Sequence, residues 1–174
     1  MLHVRVGGSF IYPPKRPYGP VQRVVLIAGG VGVNPLVSML GEIRDRGEDV
    51  EVKILYGSKM PRGGLQEVPF LQRMAKMLQG DSIQGSMDLF LTGSATLLPS
   101  RCDLPKWFQS GLIELHEGRM TSELVKATIG SGATVGTIVY ICGPASMTDE
   151  LADVVSRADD GVIEADRVMT EKWW

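Results

Sequence analysis

A glycine-rich segment early in the chain has the composition of a phosphate-binding loop. It reads Ala28-Gly29-Gly30-Val31-Gly32-Val33-Asn34-Pro35 and follows a short apolar run. Glycines let the backbone approach a diphosphate closely, and the free amides at the start of the next helix attract the anion. Asn34 is predicted to cap that helix, and Pro35 suits its first turn. The same pattern also occurs in strand-to-helix turns that bind nothing, so the segment favours a ligand without requiring one.

Two features separate this segment from the ordinary dinucleotide-binding fingerprint. Pro35 stands where the third glycine is expected, and the next predicted strand ends Tyr56-Gly57-Ser58-Lys59 without an acidic residue to bond the adenosine ribose. This pattern disfavours an ordinary NAD-dependent dehydrogenase. Ser58 and Lys59, together with Arg62, could accept a 2′-phosphate instead. A solvated polar loop explains the three residues equally well.

A cysteine stands in the turn that follows the fourth predicted strand. The turn reads Cys142-Gly143-Pro144-Ala145-Ser146-Met147. A cysteine at the carboxyl end of a strand can reach a ligand, whereas a lone cysteine after an apolar run is more often an inert core residue. Cys102 is assigned to the inert class. His3 and His116 have no serine, cysteine or metal-ligand partners at useful spacing, so no metal site is predicted.

The sequence finishes with two tryptophans in the segment Thr170-Glu171-Lys172-Trp173-Trp174. Tryptophan side chains are costly to expose, and they can stack on a flat ring such as flavin or nicotinamide. They can equally close the edge of a sheet as hydrophobic cover. Both interpretations stay open on the residues alone.

The elements that must position these residues alternate between strand and helix. Leu36, Met39, Leu40 and Ile43 form one face of a helix that ends at Gly47, and Thr121 is predicted to cap a later helix. The other helices are predicted near 70–78 and 147–158, and the strands at 24–28, 50–56, 87–92, 138–141 and 167–171. This order predicts an α/β fold with three layers and a doubly wound, five-stranded parallel sheet, in a flavodoxin-like or similar strand order. Ligands of such sheets bind outside the carboxyl ends of the strands. No element is predicted for 93–117.

Composition limits the function classes. The chain has 174 residues, 44% apolar and 22% charged, with a formal net charge of -2. These values predict a globular domain without the basic surface of a nucleic-acid-binding protein. The two cysteines, too few for a disulfide framework, indicate an intracellular, reducing compartment. No apolar run is long enough to predict a membrane span. Residues 2–10 resemble a strand, and four prolines between 13 and 20 indicate a linker, so residues 21–174 are predicted to form the domain.

Together, these motifs resemble the nucleotide-binding domain of the ferredoxin-NADP reductase superfamily. That domain carries a GxGxxP loop, a CGPxxM turn and a terminal acidic-x-aromatic segment. The corresponding residues here are Gly30 to Pro35, Cys142 to Met147, and Glu171 with Trp173. The branch called oxidoreductase NAD-binding-domain-containing proteins is more similar still. It shares the patterns at 6–10, 26–36, 118–121, 142–149 and 171–174.

The resemblance implies a role for each matching position and names NAD(P)H as the cofactor. It also implies FAD, bound only through a domain that precedes this one, an electron-acceptor protein, and a mitochondrial location. The implied contacts are Gly30, Gly32 and Pro35 with the diphosphate, Ser58 and Lys59 with the adenosine ribose, Arg119 and Thr121 near the nucleotide, Cys142, Gly143 and Pro144 with the nicotinamide, and Glu171 and Trp173 with the flavin.

One departure from the superfamily affects the predicted activity. The flavin-binding barrel of the superfamily contains an Arg-x-Tyr/Phe-Ser/Thr motif, and this sequence has none. Residues 1–20 resemble only the last barrel strand and a linker. Hydride transfer needs both rings in contact, so little activity is predicted for this chain alone. A non-catalytic nucleotide-binding module and a protein-interaction module are the alternatives. The choice between NADH and NADPH and the oligomeric state stay open.

Overall fold

The computed structural model describes residues 10–15, 19–80, 83–93, 104–108, 110–130, 136–156 and 163–173. Strands and helices alternate along these residues, as the sequence predicts. The strands are β1 (Arg23–Gly29), β2 (Glu51–Lys59), β3 (Gln84–Thr92), β4 (Ile113–Glu117), β5 (Thr137–Pro144) and β6 (Val168–Trp173). The helices are α1 (Val33–Arg46), α2 (Leu71–Gln79), α3 (Ser122–Gly130) and α4 (Ala145–Ser156).

The strands form one parallel sheet in the order β4-β3-β2-β1-β5-β6. The predicted α/β class and parallel sheet are confirmed, but the predicted count of five strands is wrong. The additional strand is β4, which lies in the segment 93–117 where no element was predicted. The order also differs from the flavodoxin-like one, because the chain adds β2, β3 and β4 on one side of β1 before returning to its other side. The direction of winding therefore reverses between β1 and β5.

Two apolar layers cover the faces of the sheet. α1 and α2 pack on one face, where Leu40, Ile43 and Tyr56 are buried. α3 and α4 pack on the other face, against residues such as Ile27 and Ile141. The sequence of β1 is apolar without alternation because this central strand is covered on both faces. The predicted three-layer arrangement is therefore confirmed.

Two of the three predicted helix ends are confirmed. Gly47 ends α1 in the left-handed conformation, with φ of 61°. The Thr121 Oγ1 accepts a hydrogen bond from the Leu124 N–H at 3.3 Å, which caps α3. The prediction that Asn34 caps α1 is wrong. A 3-10 turn over Gly30–Gly32 runs directly into the helix, so Gly32 takes the cap position and Asn34 lies inside the first turn.

Residues 10–15 pack against the sheet. The Phe10 ring contacts the Tyr140 ring edge to face at 5.4 Å, and the Tyr140 hydroxyl donates to the Ile11 carbonyl at 2.8 Å. Tyr12 is buried and hydrogen-bonds Glu48 beyond the end of α1. The strand predicted for 2–10 lies almost wholly outside the described residues. Within those residues, no helix combines the length and the apolar character that a membrane span requires.

Candidate functional site

A cavity of about 390 Å³ opens at the carboxyl edge of the sheet. All six strands, or the residues that directly follow them, contribute to it. Eight residues predicted from the sequence line it: Gly29, Gly30, Ser58, Lys59, Arg119, Pro144, Met147 and Trp173. The cavity therefore lies where a doubly wound sheet is expected to bind a ligand.

The glycines of the first loop differ in what they do. Gly30 faces the cavity with φ of +54°, a conformation that glycine adopts without strain. Gly32 is buried, and a Cβ atom there would lie 2.1 Å from the Cys142 carbonyl oxygen. A Cβ atom on Gly29 would lie 2.7 Å from the Met147 sulfur. Gly32 is thus required for packing the loop against β5, whereas Gly30 leaves bare backbone toward the cavity.

The end of β2 supplies the polar side of the cavity. Ser58 is buried, and its hydroxyl donates to the Lys59 carbonyl at 3.3 Å. The Thr92 hydroxyl donates to the Ser58 carbonyl at 3.4 Å, which links β3 to this segment. Lys59 is exposed, and Arg119 approaches the same cavity from the loop after β4. Two cationic side chains therefore face one ligand-sized space.

Cys142 is buried near the end of β5 and does not line the cavity. Burial, with a smaller contribution from the Glu171 carboxylate, raises the pKa of its thiol to about 11. The side chain is therefore a neutral thiol at physiological pH. Glu171 lies opposite Cys142 in the β5–β6 pairing and is exposed.

Trp173 covers the first loop from the end of β6. Its indole N–H donates to the Gly29 carbonyl at 3.2 Å. The six-membered ring lies 3.3 Å from the position that a Cβ atom on Gly30 would take. Beside it, the Lys172 ammonium and the Asp149 carboxylate are 2.5 Å apart, which ties β6 to α4. Trp174 lies outside the described residues.

Several predicted site residues do not line the cavity. Val31, Asn34, Thr121 and Glu171 are exposed, Pro35 is half-buried, and Gly32, Cys142 and Gly143 are buried. Arg62 is exposed on the loop after β2 and also lies outside the lining.

Sequence reasoning missed seven lining residues. They are Gly57, Phe90, Thr92, Gly118, Met120, Ser146 and Glu150. Six of the seven lie at the end of β3, directly after β4 or in the first half of α4, and only the strand order brings these places together. Gly118 and Met120 flank Arg119 in a stretch that the sequence did single out.

His116, which has no partner at useful spacing in the sequence, gains one in the folded protein. Its Nε2 atom lies 2.6 Å from the Asp88 Oδ1 atom of the neighbouring strand. The two residues are 28 positions apart, so no local spacing could reveal the pair. His3 and Cys102 lie outside the described residues.

Comparison with known proteins supports the resemblance that the motifs indicate. No protein-family model matches the chain. The bovine (Bos taurus) protein named oxidoreductase NAD-binding domain-containing protein 1 is 30% identical over 181 aligned residues, covering 98% of this chain and 52% of that protein. The human (Homo sapiens) protein of the same name is 28% identical, covering 98% and 51%. The chain spans about half the length of the curated relatives it matches.

Solved structures show the same fold. The flavohem-like FAD/NAD-binding domain of nitric oxide dioxygenase from Vibrio cholerae superimposes with a TM-score of 0.60 at 20% identity, covering 97% of this chain and 55% of that one. The cytochrome P450 reductase GcoB from Amycolatopsis gives 0.59 at 19% identity, covering 96% and 41%. The predicted resemblance and the α/β fold of reductase-type nucleotide-binding domains are confirmed.

Proposed function

We propose, from the fold shared with these reductase domains, that the chain binds NAD(P)H at the carboxyl edge of its sheet. It acts as the nucleotide-binding domain of a flavin-dependent oxidoreductase whose FAD is held by another domain. One observation carries this proposal. Bare glycine backbone, two cations and an indole ring, contributed by different strands, all face one cavity.

The diphosphate of the nucleotide fits the first loop. Gly29 and Gly30 present backbone without side chains to the cavity, and the first turn of the 14-residue helix α1 follows directly. The Val33 N–H already donates to the Gly30 and Val31 carbonyls, and Pro35 has no N–H, so the dipole of α1 is the main feature of this turn that favours an anion. This arrangement supports diphosphate binding without a basic residue inside the loop.

The two cations support NADPH as the preferred nucleotide. Lys59 approaches the cavity from the end of β2 and Arg119 from the loop after β4, and the β2 segment carries Ser58 where an NAD-specific site would carry an acid. A 2′-phosphate accepts charge-assisted hydrogen bonds from such groups, whereas a 2′-hydroxyl gains little from them.

The nicotinamide end is assigned to the surface formed by Pro144, Met147 and Trp173. When bound, NAD(P)H supplies a hydride from its nicotinamide ring, and the protein orients that ring and excludes water. Cys142 does not line this surface, and burial raises the pKa of its thiol to about 11. We therefore expect no proton transfer by Cys142 at neutral pH.

The chain alone is expected to reduce flavin poorly. Residues 1–20 correspond in this proposal to the last strand of a flavin-binding barrel and a linker, and the packing of Phe10 on Tyr140 supports a linker docked on this domain. A dye-reduction assay with NADPH and added FAD tests the point. Turnover by the purified chain at rates typical of enzymes, 1 s⁻¹ or more, would contradict it. The mitochondrial location stays a prediction.

Calorimetric titration with NADPH and with NADH tests the binding proposal. We expect NADPH to bind more tightly, and Lys59→Gln to weaken NADPH binding about tenfold because one charged hydrogen bond is lost. NADH affinity should stay unchanged in this variant. Lys76→Gln is the matched control, since Lys76 is an exposed lysine on α2 outside the cavity.

The outcomes separate the candidate functions. A folded chain that binds neither nucleotide rejects the proposal. A chain that binds a nucleotide but never reduces flavin, even when a complete flavin-binding domain is supplied, is a non-catalytic nucleotide-binding module.

A further inference from the structure

We propose that Asp88, Glu114 and His116 form a binding site for a divalent metal ion of the zinc class. Asp88 lies on β3, and the other two residues lie on the neighbouring strand β4. In the strand register Asp88 pairs with Glu114, and Phe90 pairs with His116. Side chains two residues apart on a strand point to the same face, so all three side chains project from one face of the sheet.

The donor atoms are close enough to share one ion. One ligand atom from each residue lies within 4.8 Å of the other two, and the His116 Nε2 atom is 2.6 Å from the Asp88 Oδ1 atom. Protein ligands bind Zn²⁺ tetrahedrally at about 2.0–2.2 Å, which places two donors about 3.3–3.6 Å apart. The His116 and Asp88 donors would therefore separate by about 1 Å, and the exposed Glu114 side chain would rotate toward them.

The imidazole ring is held in place by an aromatic neighbour. Phe90 stacks on His116 with ring centroids 4.7 Å apart and an angle of 13° between the planes. The His116 and Asp88 side chains are 24% and 22% exposed. The two side chains are therefore already neighbours, and their hydrogen bond would give way to the ion, while the exposed Glu114 leaves the site open to solvent for entry and for a bound water.

Charge and donor type favour a transition metal. Neither Asp88 nor Glu114 forms an ion pair with a lysine or arginine of the described ranges. A dication would offset both carboxylates. Mg²⁺ and Ca²⁺ prefer sites made entirely of oxygen, whereas one imidazole with two carboxylates suits Zn²⁺.

A bound ion would stabilise the pairing of the edge strand β4 with β3, next to the cavity. β4 lies at the edge of the sheet and pairs only with β3 among the described strands. Gly118 and Arg119, which line the cavity, follow His116 by two and three residues. Phe90, which stacks on His116, also lines the cavity. An ion at this place would cross-link β3 to β4 and hold the loop that carries Arg119. This inference does not depend on nucleotide binding.

Titration of the chelator-treated chain with zinc sulfate tests the site, by calorimetry and by metal analysis after dialysis. We expect one Zn²⁺ per wild-type chain, and an affinity at least about tenfold lower in Glu114→Gln and in His116→Gln, since each loses a ligand. Two matched controls should keep wild-type affinity. Glu117→Gln makes the same change on the opposite face of β4, and His3→Gln removes the other histidine.

Thermal unfolding gives a second readout. Zinc at about 100 times its Kd should raise Tm by about 5 °C or more in the wild-type chain and in the controls, but not in His116→Gln.

Absence of zinc binding by the wild-type chain overturns the proposal. Equal binding by all four variants also overturns it, because the ion then lies elsewhere. Tighter binding of Mg²⁺ than of Zn²⁺ rejects the zinc class. Circular dichroism confirms that each variant is folded, and the exposed position of Glu114 makes unfolding of Glu114→Gln unexpected.

Discussion

Replacing Gly32 by alanine should destabilise the protein strongly. The φ and ψ angles of Gly32 are -60° and -9°, which alanine adopts without strain. The cost is therefore steric. The new Cβ atom would lie 2.1 Å from the Cys142 carbonyl oxygen, 2.5 Å from its carbonyl carbon and 2.9 Å from the Gly143 nitrogen. All three are backbone atoms of a central strand, so no side-chain rotation relieves the overlap.

The magnitude follows from how far the loop must move. Ordinary van der Waals contact begins near 3.4 Å, so the first loop and β5 must separate by at least about 1 Å. Overpacking of this kind costs typically about 1–3 kcal/mol, and the absence of a flexible neighbour places Gly32→Ala at about 3 kcal/mol or more. For a protein of this size, that loss lowers Tm by roughly 6–12 °C.

Alanine substitutions at two other glycines provide stability changes with which Gly32→Ala can be compared. Gly143→Ala places its Cβ atom 2.4 Å from the end of the flexible Met147 side chain, which can move aside, so a loss of about 1–2 kcal/mol is expected. Gly41→Ala lies within α1 with no atom within 4 Å of the new Cβ, and it should stabilise by about 0.5–1 kcal/mol. Urea and thermal unfolding of the three variants should give this order. A Gly32→Ala protein as stable as wild type, or more stable than Gly143→Ala, would refute the steric argument.

Three further predictions concern contacts elsewhere in the fold. Thr121→Ala removes the cap on the Leu124 N–H and should lower the free energy of unfolding by about 1 kcal/mol, measured in urea. Cys142 should react slowly with iodoacetamide at pH 8, with a rate that rises up to a pH of about 11, because only the thiolate reacts and burial raises its pKa. Since the folded state holds this proton more tightly than the unfolded state, the stabilising contribution of the thiol should be complete below about pH 9 and lost toward pH 11. Trp173→Phe removes the indole N–H that donates to Gly29 and should cost about 0.5–1.5 kcal/mol in the same urea assay.

Each of these predictions has its own control. Thr128→Ala, inside α3, should leave stability unchanged or improve it, and an equal loss in both threonine variants would argue against capping. Peptide mapping follows Cys142 separately from Cys102, and fast alkylation of the folded chain near neutral pH would contradict the raised pKa. Trp107→Phe is the control for Trp173→Phe, because the hydrogen bond at Trp107 runs from the Gln79 side chain to the Trp107 backbone carbonyl and does not use the indole N–H. A Trp107 loss as large as the Trp173 loss would mean that ring size matters and the N–H does not.

The central strands were predictable because a strand that is buried on both faces has a continuous run of apolar residues in its sequence. The run Val24–Ala28 is continuously apolar, and each of its residues is at most 1% exposed. β4 carries a weaker signal. Its sequence alternates, with Ile113 and Leu115 toward the α1–α2 layer and Glu114 and His116 on the opposite face, but it has only five residues.

The positions of the first loop were predictable, but the reasons for its glycines were not. The sequence indicated a ligand-contacting role for Gly32, whereas the structure places this residue against the backbone of β5. That contact depends on β5 lying beside β1, and no local pattern encodes which strands are neighbours. The same limit explains why Phe90 and Thr92 were missed, since the end of β3 reaches the cavity only through the strand order.

The hydrogen bond from Trp173 to Gly29 joins residues 144 positions apart. Contacts of such long sequence separation form late in folding, because a large loop must close before they repay its entropy. The first loop can fold with α1 as a local unit soon after synthesis. The Trp173 side chain that covers this loop is in place only after β6 has paired with the sheet. During translation, the cavity would therefore stay unfinished until β6 has left the ribosome, and a nucleotide that needs Trp173 could not assist the earlier steps of folding.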